Sequence, residues 1–229
     1  MPNHADAESP RERYRRILTQ GDDTERTVFF SDAVMAIAMT LLVLEIHIPE
    51  VKDAEIGRAL LEELPVFGAY VLSFGIIGLH WINHNRKFRV IRHYDAGLQW
   101  INLAFLFFVA LLPVITSALV TNGAAVIVVL YAVNVAALSL LQFWMWSYAW
   151  RKGFIDEVVD DEVYLVSRRQ QLTTPAVFLL SVPIALFIDP TVAMLFWIIL
   201  LPVGVVARML PLSAHAPRRG TAVYTSRED

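Results

Sequence analysis

Residues 26–48 read Arg-Thr-Val-Phe-Phe-Ser-Asp-Ala-Val-Met-Ala-Ile-Ala-Met-Thr-Leu-Leu-Val-Leu-Glu-Ile-His-Ile. As a helix rising 1.5 Å per residue, this stretch is long enough to cross the hydrocarbon of a bilayer. It nevertheless carries Asp32 about a turn and a half inside Arg26. An ionisable group at that depth is costly and normally faces a cavity or a partner helix. At about 100° per residue Arg26 and Asp32 point about 120° apart, so they are poorly placed to pair within one helix. Each is therefore expected to find a partner on another helix.

Outward from this segment the chain repeats the same apolar length. Candidate spans fall at 28–48, 62–82, 98–120, 124–148, 172–188 and 190–210, which predicts an all-α, polytopic membrane protein with six transmembrane helices. The last two are short and separated only by Asp189-Pro190, so they read either as two spans joined by a tight turn or as a re-entrant pair. The composition agrees with a bilayer as solvent: 56% of residues are hydrophobic, and the mean hydropathy is +0.52.

Charge favours two final spans. Of the 19 Lys and Arg, only Lys52 and Arg58 fall outside the connections expected on one side of the membrane. The rest sit before span one, between spans two and three, between spans four and five, or at and after the end of span six. By the positive-inside rule both termini are then cytoplasmic and the number of spans is even. The expected division is a cytoplasmic segment 1–25, a membrane domain 26–210 and a cytoplasmic tail 211–229. The arginines before residue 26 are followed by no small-residue cleavage site, so no signal peptide is expected.

Several chemistries are disfavoured. The chain has no cysteine, and so no thiolate metal site, cysteine nucleophile or disulfide. Its net charge is −3, with basic residues confined to loops, which argues against a nucleic-acid-binding face. There is no phosphate-cradling glycine loop, Gly-x-Ser-x-Gly elbow or His-Glu-x-x-His motif, so an enzyme is not expected and no cofactor is called for. The acidic run Asp156, Glu157, Asp160, Asp161 and Glu162 lacks calcium-loop spacing and reads as a solvated cytoplasmic connector, with or without order of its own. Phe143-Trp144-Met145-Trp146 with Tyr148 and Trp150 reads as an interfacial aromatic belt. Pro113, Pro183 and Pro202 lie inside spans, where they can kink a helix. Glu45 and His47, at the far end of span one, are placed either to attract cations to an external mouth or simply at the interface.

Span two ends in His80-Trp81-Ile82-Asn83-His84-Asn85, with both histidines on one helical face. With no carboxylate or thiolate at matching spacing, a metal site is disfavoured. The histidines are expected to join Arg26 and Asp32 in a polar network that positions span one. On the helix wheel Ile37, Thr40, Leu41, Leu44 and Ile48 share a stripe about 100° wide, with about 10 Å between Ile37 and Leu44 along the axis. Such a stripe alone is ordinary packing or lipid contact in most membrane helices.

The pattern Arg26-x-x-x-Phe30-Ser31-Asp32, followed by Ala33 and Ala-Ile-Ala-Met-Thr-Leu-Leu-Val-Leu, resembles the bacterial relatives of the lysosomal potassium channel known as transmembrane protein 175. The likeness extends to the six-span layout and the His/Trp-rich end of span two, over about residues 25–210. It implies a homotetramer in the lipid bilayer, with four first helices around one pore for potassium ions and no carbonyl-lined filter; no Thr-Val-Gly-Tyr-Gly-like loop is present. It also implies that Ile37 is the main hydrophobic constriction, or gate, with Leu41 and Leu44 as further apolar rings. Thr40, one turn from Ile37, is the candidate polar ring for selectivity. Arg26, Phe30, Ser31, Asp32, His80, Trp81 and His84 are then expected to be scaffold. The competing expectation is a proton-coupled secondary transporter using Asp32, His80 and His84. A membrane scaffold without transport leaves the intramembrane aspartate unexplained.

Overall fold

Inside a bilayer every backbone N–H and C=O has to be satisfied within the spanning segment, which leaves these apolar stretches the helix. The computed structural model describes Ser9, Arg11, Gln20, Gly21, Lys52 and residues 24–46 and 55–197. Its elements are a short strand β1 (Gln20–Gly21), α1 (Thr24–Leu41), a 3₁₀ turn (Leu42–Glu45), α2 (Ile56–Glu62), α3 (Leu64–Phe88), β2 (Tyr94–Asp95), α4 (Ala96–Asn122), α5 (Ala125–Arg151), α6 (Asp161–Gln171) and α7 (Thr173–Phe187). A further helix begins at residue 190 and is described as far as 197. Five helical stretches among the described residues are long and apolar enough to cross a membrane: those of α1, α3, α4, α5 and the continuous α6–α7 rod. The completeness of the expected sixth span, the rest of 190–210, lies outside the described residues, as do Ile48, His47, Pro202 and the segment 211–229.

The core runs between α4 and α5, an antiparallel pair. Gly123 ends α4 in the left-handed conformation, at φ 55°, and returns its N–H to the Leu119 carbonyl. Leu98, Ile101, Phe105, Val109 and Leu112 from α4 meet Val128, Tyr131, Val135 and Leu138 from α5 in one buried cluster. Helix α5 packs most extensively against α4 and α7, while α1 lies on α4 and α3. The Asp189-Pro190 junction is a turn between two helices. Asp189 Oδ1 accepts from the backbone N–H of Thr191 at 2.7 Å and of Val192 at 3.3 Å, the geometry of an N-cap with proline at the first helical position. Beyond it, Trp197 stacks on Tyr131, with centroids 5.0 Å apart, and donates to Ser181 Oγ at 2.7 Å.

One boundary differs from the expectation. Helix α3 continues six residues beyond 82 because His84, Lys87 and Phe88 are buried against neighbouring helices, so polar identity does not end it. The connector after α5 is ordered as a helix over Asp161–Gln171. Asp160 caps α6 by accepting from Val163 N at 2.8 Å, Asp161 and Glu162 occupy its first turn, and Arg168 and Arg169 its last. That order complements the helix dipole and accounts for the clustered acids. The aromatic belt divides likewise: Trp146 is buried and Trp150 stacks on Tyr164 of α6 at 4.2 Å, whereas Trp144 stays on the outer surface.

The arginine-rich side carries a small ordered platform. Strand β1, just ahead of α1, pairs antiparallel with β2, just ahead of α4. Asp95 caps α4 through Leu98 N at 2.9 Å, accepts from Tyr148 Oη at 2.8 Å and lies 3.9 Å from Lys152 Nζ. Residue 97 has to be glycine for this approach, since a Cβ there would stand 2.3 Å from the Tyr148 hydroxyl. The two adjoining loops are joined by Arg92 N to Phe154 O at 2.9 Å and by Arg92 Nε to Asp156 Oδ2 at 2.6 Å.

Candidate pore helix and its polar support

Helix α1 turns two different faces to its surroundings. Ser31, Met35, Ala38 and Leu42, spaced four, three and four apart, are buried against the subunit. The opposite face is exposed in the single chain, with Ile37 at 58%, Leu41 at 43% and Leu44 at 67%. Thr40 is exposed beside them, and its hydroxyl donates to the Ile37 carbonyl at 2.8 Å. That bond takes up the only hydroxyl proton and leaves the oxygen lone pairs facing outward.

The buried face is held by a relay across three helices. Ser31 Oγ donates to Thr27 O at 2.8 Å, so it has to accept from Asn102 Nδ2, 2.9 Å away on α4. Asn102 Oδ1 is then the acceptor for His84 Nε2 of α3, at 2.9 Å. His84 is therefore the Nε2–H tautomer, stacked on Phe88 at 4.4 Å and Phe105 at 5.6 Å. Among the described residues its Nδ1 has no hydrogen-bond partner. One turn away, Trp81 Nε1 donates to Asp32 Oδ1 at 2.8 Å, a second tie between α3 and α1.

Of the expected scaffold residues, Ser31, Asp32, Trp81 and His84 are brought together in this way. His80 is not in contact with α1 through these bonds: its ring reaches Ser139 Oγ of α5 at 3.1 Å and its own helix at Ile76 O, 2.8 Å away. It ties α3 to α5, which Gln142 reinforces by donating to His80 O at 2.7 Å. Arg26 and Phe30 also depart from the expectation. Both are exposed, and among the described residues the Arg26 guanidinium has no hydrogen-bond or ion-pair partner. The helical repeat explains it: Arg26 and Phe30 lie within about 20° of the Ile37 direction and so cannot face the subunit core. Asp32, His80 and His84, the three groups of the transporter expectation, send their bonds to three different helices.

Asn102 joins the two parts of the relay, and sequence reading missed it. So were Ser139 and Gln142, and the buried triad in which Ser73 Oγ lies 2.8 Å from Thr116 Oγ1 and 2.9 Å from Tyr131 Oη. The available signal was an amide or hydroxyl inside an apolar span, where unsatisfied polar groups are expensive.

Residues 26–113 match the model of the family described as endosomal/lysosomal potassium channel TMEM175. A potassium channel of Streptomyces collinus is 32% identical over 140 residues, covering 58% of this chain and 68% of that protein. The chain belongs to the TMEM175 family. A potassium channel of a Chryseobacterium strain is 37% identical over 93 residues, 41% of this chain and 47% of its own length. The crystal structure of a lysosomal potassium-selective channel TMEM175 homolog from Chamaesiphon minutus superposes with a TM-score of 0.69 at 28% identity, covering 80% of this chain and 97% of that one. The match over 26–113 encloses α1, α3 and the first part of α4, so the Ser31–Asn102–His84 relay and the Trp81–Asp32 bond lie inside the TMEM175 region. Multi-pass membrane architecture follows from the apolar helices together with these channel relatives.

Proposed function

We propose that the chain is one subunit of a potassium-permeable channel, a homotetramer in which four copies of α1 surround a central pore. The observation that carries this reading is the exposed line of Ile37, Leu41 and Leu44, turned away from the buried stripe Ser31, Met35, Ala38 and Leu42 along α1 and the 3₁₀ turn that continues it. A single such helix cannot enclose a path, and an apolar line of this kind around an axis makes a constriction that gates by dewetting. Potassium sheds hydration water more cheaply than sodium, so an apolar ring at Ile37 discriminates modestly without a carbonyl cage. Thr40 adds outward lone pairs one turn along, a partial substitute for lost water. The named activities of the Streptomyces and Chamaesiphon relatives support the choice of ion. The same reading places both termini in the cytoplasm of a bacterial cell, by the positive-inside rule.

The test is Ile37→Asn in reconstituted protein, recorded in bilayers under opposed potassium and sodium gradients. The channel reading expects unitary steps, with higher conductance and weaker discrimination against sodium in the variant. Unchanged sodium permeability removes Ile37 from the filter. Slow, saturating, proton-coupled flux would favour the transporter.

A further inference from the structure

We infer that neighbouring subunits lock together at the arginine-rich end of α1, with Phe29 and Glu25 of one copy seated in the pocket beside Arg26 of the next. The inference rests on the ring reading above. Helix α1 spends one face on its own subunit and one on the proposed lumen, which leaves two flanks. Glu25, Phe29 and Asp32 fall within about 60° of one another on one flank, Arg26 and Phe30 point toward the proposed lumen, and Thr27 turns to the other flank. A hollow of about 450 Å³ opens on the Arg26 side, walled by Arg26, Thr27 and Phe30 of α1 and by Tyr94, Gln99 and Leu103. On the opposite flank the Phe29 side chain stands 79% exposed, one turn along from Glu25.

Rotation about a central axis brings one flank of each helix against the opposite flank of its neighbour, a heterologous contact repeated at every interface. The contact is complementary in sign, and the hollow beside Arg26 offers room for the projecting Phe29 ring, although a second hollow of about 480 Å³, walled by Glu25, Phe29, Asp32 and Arg89 among others, lies on the Phe29 flank itself. Glu25 and Arg26 are consecutive residues, so they sit at nearly the same depth. Both are exposed and, among the described residues, neither has a hydrogen-bond or ion-pair partner in its own chain. The pairing also serves permeation. Arg26 lies within about 20° of the Ile37 direction, and unpaired arginines there would ring the pore mouth with positive charge and repel cations. A neighbouring carboxylate neutralises that ring.

The chain contains no cysteine, so introduced thiols report without background. Full-length protein carrying Phe29→Cys and Gln99→Cys is treated in membranes with a short bifunctional thiosulfonate. Linked species up to the complete ring are expected from the double variant and none from either single variant. If both thiols label fully with maleimide, no linked species form, and the native mass in detergent remains that of a ring, the flanks are not adjacent and the inference falls while the ring stands. A native mass of one chain overturns both. Charge exchange is the second measurement: Glu25→Arg or Arg26→Glu alone should lower the assembled fraction about five-fold, with the two together restoring it to within about two-fold of the parent. Additive loss in the double exchange overturns the ion pair.

Discussion

Trp81 Nε1 donates to Asp32 Oδ1 across 2.8 Å, joining the end of α3 to the start of α1 through a carboxylate that lies within a membrane span. The bond gives the intramembrane aspartate its neutral donor partner, while Ser31, the neighbouring residue, engages Asn102. Two successive residues of the first helix are thereby tied to two different helices, which fixes both its rotation and its depth.

Asp32→Ala removes the acceptor and leaves the indole N–H without one at the edge of hydrocarbon. A loss of about 1–3 kcal/mol is expected, read as earlier thermal unfolding in detergent. Asp32→Asn keeps an acceptor and should lose less. Equal losses for the two would mean that charge, not the hydrogen bond, is what the fold uses.

Asn102→Leu cuts both bonds of the relay at once, stranding His84 Nε2–H in a buried site. It should cost about 2–4 kcal/mol, since a buried donor and its partner are both affected. In a double-mutant cycle Asn102→Leu and Ser31→Ala should be strongly non-additive, whereas Asn102→Leu and Ser139→Ala should add. Additivity of the first pair would dissolve the relay.

Gly97→Ala forces a methyl group against the Tyr148 hydroxyl, where an ideal Cβ would lie at 2.3 Å. Overpacking of this kind costs about 1–3 kcal/mol. Tyr148→Phe in the same chain should recover part of the loss in melting temperature, because the closest atom is gone. No recovery would place the cost in the backbone.

Thr40→Val is isosteric and removes the hydroxyl. Among the described residues its hydroxyl bonds only to the carbonyl of its own helix, already satisfied by the helical ladder, so stability should stay within about 0.5 kcal/mol. Permeation should change instead, with reversal potentials showing weaker preference for potassium. An unaltered ratio would exclude Thr40 from selectivity.

Asp156 holds the two loops of the platform. Its carboxyl is kept below the usual carboxylate range, first by the backbone N–H of Val158 and then by Arg92. A depressed folded pKa contributes stability above the unfolded value, about 4, and loses it as pH falls through the lower folded value. The parent should therefore lose thermal stability on acidification below about pH 4, and Asp156→Asn should show a shallower fall over the same range. Identical profiles would mean the carboxylate contributes nothing there.

The membrane architecture was legible in the sequence because apolar length is a one-dimensional property. The spans at 62–82, 98–120, 124–148 and 172–188 reappear as α3, α4, α5 and α7, and the Asp189-Pro190 turn joins two helices. The Arg26-to-Asp32 motif likewise identified the family, since residue order along one helix is all it needs. The division of labour inside that motif was not legible. Partners such as Asn102 for Ser31, Trp81 for Asp32 and Ser139 for His80 lie 71, 49 and 59 residues away in the chain. Nothing local to those positions announces them.

What the sequence determined by itself is which segments enter the bilayer and which helix carries the family's signature, because transfer into hydrocarbon depends on composition over about twenty residues. Only the tertiary structure decided which side of α1 is held and which is left open. A helix with polar and apolar residues on several faces has no preferred rotation until specific donors and acceptors on α3 and α4 select one, and Asn102 and Trp81 are the groups that do so here.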